Sequence, residues 1–208
     1  MGTSFAFKPI ITNGLVLNLD AANRISFVSG NTSWYDLSGN GNNGTLNGTI
    51  TFNSNNAGSL SFDGTSGYVL MNNKPSSTQF SITSWVNIST SNSGYRTIYA
   101  DNVNGVFLLD KVINYKNIFT GTTTLNTDQW YFISLTYDGT TMKSYIDSVL
   151  DKTTSVSTTL PTGATTSIGG HDSIEFFNGK ISNVQIYNRS LTSTEIQQNY
   201  NAIKLRYQ

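Results

Sequence analysis

Cysteine is absent from the 208 residues, which excludes disulfides, thiolate metal sites and a cysteine nucleophile. Histidine occurs once, at His171, so no two-histidine zinc site can form. Charge is scarce: Asp, Glu, Lys and Arg make up 12% of the chain, with 12 basic residues against 12 acidic. That balance leaves no electrostatic footprint for nucleic acid or for an anionic membrane surface. No apolar run approaches the ~18 residues of a spanning helix, so no membrane insertion is expected. Glutamate occurs only at Glu175 and Glu195. The first residues lack a basic leader and a sustained apolar stretch, and Lys8-Pro9 interrupts them, which does not read as a secretory signal.

What fills the chain is small and polar. Ser, Thr and Asn number 26, 28 and 25, together 38% of the residues. These are poor helix formers and good strand, turn and cap residues. With 12% aromatics and 18 glycines, the composition reads as all-β and folded. A chain of this length buries enough core to fold without a metal.

Strand patterns recur along it. In 14–20, Leu15, Leu17 and Leu19 share one face. A loop over 29–48 is rich in Asn-Gly and Ser-Gly turns, with Trp34, Tyr35 and Leu37 as its expected staple. From Gln79 to Ile88 the residues alternate, and Trp130 to Tyr137 is apolar on both faces, as in a central strand. Asp138-Gly139 signals a two-residue hairpin returning through Met142 to Leu150. Thr192-Ser-Thr-Glu195 is a capping box, and Ile196, Tyr200 and Ile203 follow at helical spacing. The expected fold is one antiparallel β-sandwich (residues 14–208) with a short C-terminal helix. Residues 1–13 read as an extended arm.

Three sets of motifs carry a family resemblance. The first is Gly14-Leu-Val-Leu-Asn-Leu-Asp20, Trp34-Tyr-Asp-Leu-Ser-Gly-Asn-Gly-Asn-Asn-Gly-Thr45 and Leu60-Ser-Phe-Asp-Gly-Thr-Ser-Gly-Tyr-Val69. The second is Phe80-Ser-Ile-Thr-Ser-Trp-Val86, Gln129-Trp-Tyr-Phe132 and Thr136-Tyr-Asp-Gly-Thr140. The third is Gly179-Lys-Ile-Ser-Asn-Val-Gln-Ile-Tyr-Asn-Arg-Ser-Leu-Thr192. In this order they resemble the laminin-G-like domains of the concanavalin A-like lectin/glucanase superfamily. The resemblance implies a jelly-roll sandwich, and for function a lectin, a glycosidase, an adhesion module or a structural part. The opening stretch also resembles modules of tailed-bacteriophage structural proteins, which implies a virion component made in the host cytoplasm.

Glycosidases of the superfamily carry paired carboxylates on one strand. Here no two acids stand at i, i+2 on an expected strand, so no enzyme is expected. The superfamily often holds a structural calcium ion. Its usual aspartate position in the last strand is Ser182 here, leaving Asp20 and Asp63 as candidate ligands; no cofactor is required. For glycan contact the rim residues Tyr95, Arg96, Asp101 and His171 are candidates, provided their loops share one end of the sandwich. Trp85 and Trp130 read as core. The arm's Phe5, Phe7, Ile10 and Ile11 are candidates for docking on a neighbouring subunit. The expectation is a non-enzymatic virion structural or adhesion module: a capsid decoration, fibre or tail protein. It would touch virion proteins, a cell-surface glycan or further copies of itself. A free-standing bacterial lectin and a glycoside hydrolase are the alternatives.

Overall fold

The computed structural model describes residues 8–73, 75–89, 94–101, 104–115, 118–158, 166–170 and 174–208. Among them lie sixteen strands. In chain order these are β1 (Leu15–Asp20), β2 (Ser33–Trp34), β3 (Gly44–Asn47), β4 (Ile50–Asn53), β5 (Ser59–Asp63), β6 (Tyr68–Met71), β7 (Phe80–Ile88) and β8 (Tyr95–Asp101), then β9 (Gly105–Leu109), β10 (Val112–Tyr115), β11 (Phe119–Thr120), β12 (Trp130–Tyr137), β13 (Thr141–Ile146), β14 (Val149–Ser155), β15 (Thr166–Ile168) and β16 (Asn178–Tyr187). One helix, α1 (Ser193–Ile203), follows and ends in a 3₁₀ turn over Lys204–Arg206.

The strands form two antiparallel sheets. The first runs β14-β13-β12-β7-β16-β5-β4, with β1 also paired to β16; the second runs β11-β10-β9-β8-β15-β6-β3-β2. Their inner faces enclose one core that includes Phe80, Ile82 and Val86 from β7, Ile133 and Leu135 from β12, Val184 and Ile186 from β16, and Ile98, Val106 and Leu108 from the second sheet. This is the expected antiparallel sandwich with its short C-terminal helix.

The outer face of the first sheet is buried too, which is why β7 and β12 carry large side chains on both faces. Trp85, Phe132, Tyr145 and Tyr187 meet Ile196 of α1, with Tyr200, Tyr207 and Ile11 packed around them. Trp85 stacks on Tyr207 at 4.1 Å and on Tyr200 at 5.5 Å, so it is core, as its pattern implied. The capping box forms as read: Thr192 Oγ1 accepts from the Glu195 amide, and the Glu195 carboxylate accepts from the Thr192 amide.

Several expectations change. The Asp138-Gly139 hairpin has three loop residues, because the Asp138 carboxylate captures the amides of Thr140 and Thr141. The single return strand is two strands, broken where Asp147 and Ser148 both take positive φ (49° and 68°), the pair a type I′ turn demands. In the loop after β1, Trp34 is fully buried in the core, as the expected staple, and a second hold comes from Asp36. Its carboxylate accepts from the amides of Asn18, Ser38 and Asn42, while Tyr35 stands 45% exposed.

The described part of the arm belongs to the domain. Ile11 donates its amide to Asn199 Oδ1 (2.8 Å) and its carbonyl accepts from Tyr187 OH (3.0 Å). Gln198 Nε2 donates to the Pro9 carbonyl and Arg189 Nε to that of Asn13. Ile10 and Ile11 are half-buried in this segment, and Ile11 packs against the cluster under the chain's own helix. Phe5 and Phe7 lie outside the described residues.

Candidate functional site

Strand β16 builds the frame of the site. Its pairing slips between Ile181 and Asn183, a β-bulge that lets Ile181, Val184 and Ile186 all face the core. Ser182, at the bulge, becomes a hub. Its carbonyl accepts the Ala21 amide (2.8 Å). Its hydroxyl donates to the Gly58 carbonyl and accepts from Tyr207 OH, both at 2.7 Å. The end of β1, the start of β5 and the C-terminal residues thus meet at one side chain.

Two segments spring from that hub and face each other. Residues 21–29 fold into a tight loop, in which Asn23 accepts the amides of Ile25, Ser26 and Phe27, and Ser26 Oγ bridges the Asp20 amide to the Tyr35 carbonyl. Opposite them β4 ends in a turn over Asn55–Ala57. Asn56 and Ala57 sit at φ 56° and 66°, a left-handed conformation unusual for alanine. The turn is clamped from outside: Asn56 Nδ2 donates to the Arg206 carbonyl (2.9 Å), and Trp130 Nε1 donates to Asn56 Oδ1 (3.2 Å). Gly58 closes the back, where a Cβ would stand 2.8 Å from the Ala21 carbonyl. Arg206 reaches down to Asp20, with both carboxylate oxygens 2.9 Å from one guanidinium nitrogen.

Between these segments lies a cleft of about 450 Å³ lined by Ala21, Ala22, Phe27, Val28, Phe52 and Ala57, with Arg24, Ser29 and Ser54 as its polar groups. That volume falls in the range of small-ligand sites. The rings of Phe27 and Phe52 lie 5.7 Å apart. Val28 is 49% exposed and the neighbouring Ile25 77%. Among the described residues Arg24, exposed at the mouth, has no acidic partner. The arrangement offers a fixed apolar surface with one cation and two hydroxyls. No short motif marks 21–29, so this cleft was not legible in the sequence.

Of the rim residues expected to converge, Tyr95 and Arg96 stand at the opposite end of one strand from Asp101. Tyr95 and Asp101 begin and end β8, six residues apart, which is roughly 20 Å along a strand. Tyr95 packs edge-on against Phe107 at 5.5 Å, and its neighbour Gly94 donates to Asp110. Arg96 is buried, and burial pushes its guanidinium down against the opposing charge of Asp110. Asp101 is buried at the far end, where its carboxylate accepts the Asn104 amide. His171 lies outside the described residues.

The candidate calcium ligands are likewise apart. Asp20 pairs with Asn183 and Asp63 with Asn178, five residues apart along β16, or roughly 17 Å. Asp63 accepts from the amides of Thr65, Ser66 and Gly67 and from two hydroxyls. Burial opposes its charge, but these donors outweigh burial and hold the carboxyl well below the usual range. Asp20 is held by Arg206 and the Ala22 amide. The two cannot share an ion.

A family model described as concanavalin A-like lectin/glucanases superfamily (Laminin_G_3) matches residues 62–197. No curated protein matches the chain. Among solved structures, the chain is similar to domain 4 of AbnA, a GH43 extracellular arabinanase from Geobacillus stearothermophilus, in complex with arabinotriose. The TM-score is 0.71 at 19% identity, covering 89% of this chain and 98% of that one. It is also similar to the receptor-binding domain of botulinum neurotoxin C/D mosaic serotype (TM-score 0.69, 18% identity, 91% of this chain, 51% of that one). A third is the binding domain of Paraclostridial Mosquitocidal Protein 1 (0.71, 15%, 92% and 52%). The chain spans about half the length of these toxin domains. At such identities the likeness is one of fold.

Proposed function

The chain belongs to the Laminin_G_3 family of the concanavalin A-like lectin/glucanase superfamily, and from that premise we propose that it is a non-enzymatic adhesion module that contacts glycans. The observation that carries the non-enzymatic part is the use made of its acids. Asp36, Asp63, Asp138, Asp147, Asp151 and Glu195 each accept backbone amides and hold a turn, loop or cap in place. Glycoside hydrolysis needs two carboxyl groups facing each other across the bond, roughly 5–9.5 Å apart and free to exchange protons. Acids spent on the main chain are poorly placed for that. The glycan part is supported by the preformed cleft, and by an arabinanase domain of the same fold having been seen with arabinotriose.

A finer reading places the module on a bacteriophage particle as a capsid decoration, fibre or tail component. Its support is the Ser/Thr/Asn-rich, cysteine-free composition. A free-standing bacterial lectin is the alternative, and mass spectrometry of purified particles separates the two. For the adhesion reading itself, the full chain is applied to a glycan array and incubated with polysaccharides. Retention of at least one glycan, with no release of reducing ends, is expected. Reducing-end release abolished by Glu175→Gln would overturn it.

A further inference from the structure

We propose that the cleft between residues 21–29 and the 52–57 turn binds a sugar ring carrying a carboxylate, with Arg24 taking the acid; this rests on the adhesion reading above. The lining sets the chemistry. Phe52, half-buried, and Val28 present apolar surface to the opening, which suits the C–H face of a pyranose. Ser29 and Ser54 offer hydroxyls to ring substituents. Among the described residues Arg24 is the one charged residue of the lining, which there carries a cation and no acid.

The surroundings sharpen that preference. The acid of the frame, Asp20, is already committed to Arg206 and to the Ala22 amide. A guanidinium with no acid of the described residues paired to it, beside apolar surface, is matched by a carboxylate, which it binds through two parallel N–H groups. A neutral sugar would leave it unmatched. Alanines at 21, 22 and 57 keep the space open, and the clamps on Asn56 and Asn23 hold both walls in place before any ligand arrives. A preformed site loses little to ordering.

The test uses the isotope-labelled full chain titrated with sodium D-glucuronate and, separately, with D-glucose, followed by amide NMR shifts. Glucuronate is expected to move the amides of residues 22–29 and 54–57, with glucose about ten-fold weaker, the factor one charge-assisted pair supplies. Arg24→Gln should erase the difference while leaving distant amides unchanged, and Arg24→Lys should keep part of it. Equal binding of the two sugars, or glucuronate binding indifferent to Arg24→Gln, overturns the proposal. So does tighter binding of acetyl-Leu-Phe, which would make the occupant a protein segment. If neither sugar moves the cleft while a glycan array still retains the chain, the cleft inference fails and the adhesion reading stands. A blank array together with no response to either sugar overturns both.

Discussion

Glu195 does two jobs at the start of α1. It completes the capping box and pairs with Arg189, whose two terminal nitrogens meet its two oxygens at 2.9 and 2.7 Å. Those hydrogen bonds lower its carboxyl from an ordinary 4.5 to about 2. A lowered folded value means the contribution is complete above the unfolded value and is lost as pH falls from about 5 toward 2. Both side chains are about a quarter exposed (24% and 25%), so solvent screening leaves the pair worth about 1 kcal/mol. Glu195→Gln should therefore lower stability by about that much at pH 7, and the two proteins should converge near pH 2 in urea melts. A difference that stays constant across that range would show that the charge contributes nothing.

Among the elements, the segment after α1 does the most for the site. Tyr207 stacks on Trp85, tilts against Trp130 at 4.8 Å and donates to Ser182, while Arg206 holds both Asp20 and the Asn56 turn. Tyr207→Phe keeps the stacking and should cost about 1 kcal/mol for the lost hydrogen bond. Tyr207→Ala should cost about 3 kcal/mol and red-shift the tryptophan fluorescence as Trp85 opens to water. Equal melts for the two variants would show that the stacking carries no weight. How far such elements could be read beforehand varied with how local their causes are. The α1 cap and the doubly apolar β12 depend on neighbours in sequence, and both were legible. The turn at Asp147–Ser148 is not legible because neither residue signals positive φ as strongly as Asn-Gly does. Asp147 stays there because its carboxylate also accepts the Phe132 amide. The cleft is hidden for a different reason: its walls, near residues 25 and 55, meet only because β1 and β5 lie end to end along β16.

At the scale of the molecule, one core cluster spans both sheets, so the sandwich should melt as a unit. Asp63 has its donors within its own turn and Asp20 has Arg206, so metal removal has nothing to loosen there. EDTA is expected to leave a single transition at an unchanged midpoint in scanning calorimetry; a midpoint that falls with EDTA and recovers with Ca²⁺ would restore a structural ion. The place of β16 has a further consequence, in time. It joins β7 on one side to β5 and β1 on the other, yet is the last strand in sequence. Until it is in place, β14-β13-β12-β7 and β5-β4 are separate ribbons, each with an unpaired edge. During synthesis β1–β15 must therefore emerge in a partly open, association-prone state before β16 closes the sheet. Refolding on the slow side, milliseconds to seconds by tryptophan fluorescence, is the kinetic signature of that late closure.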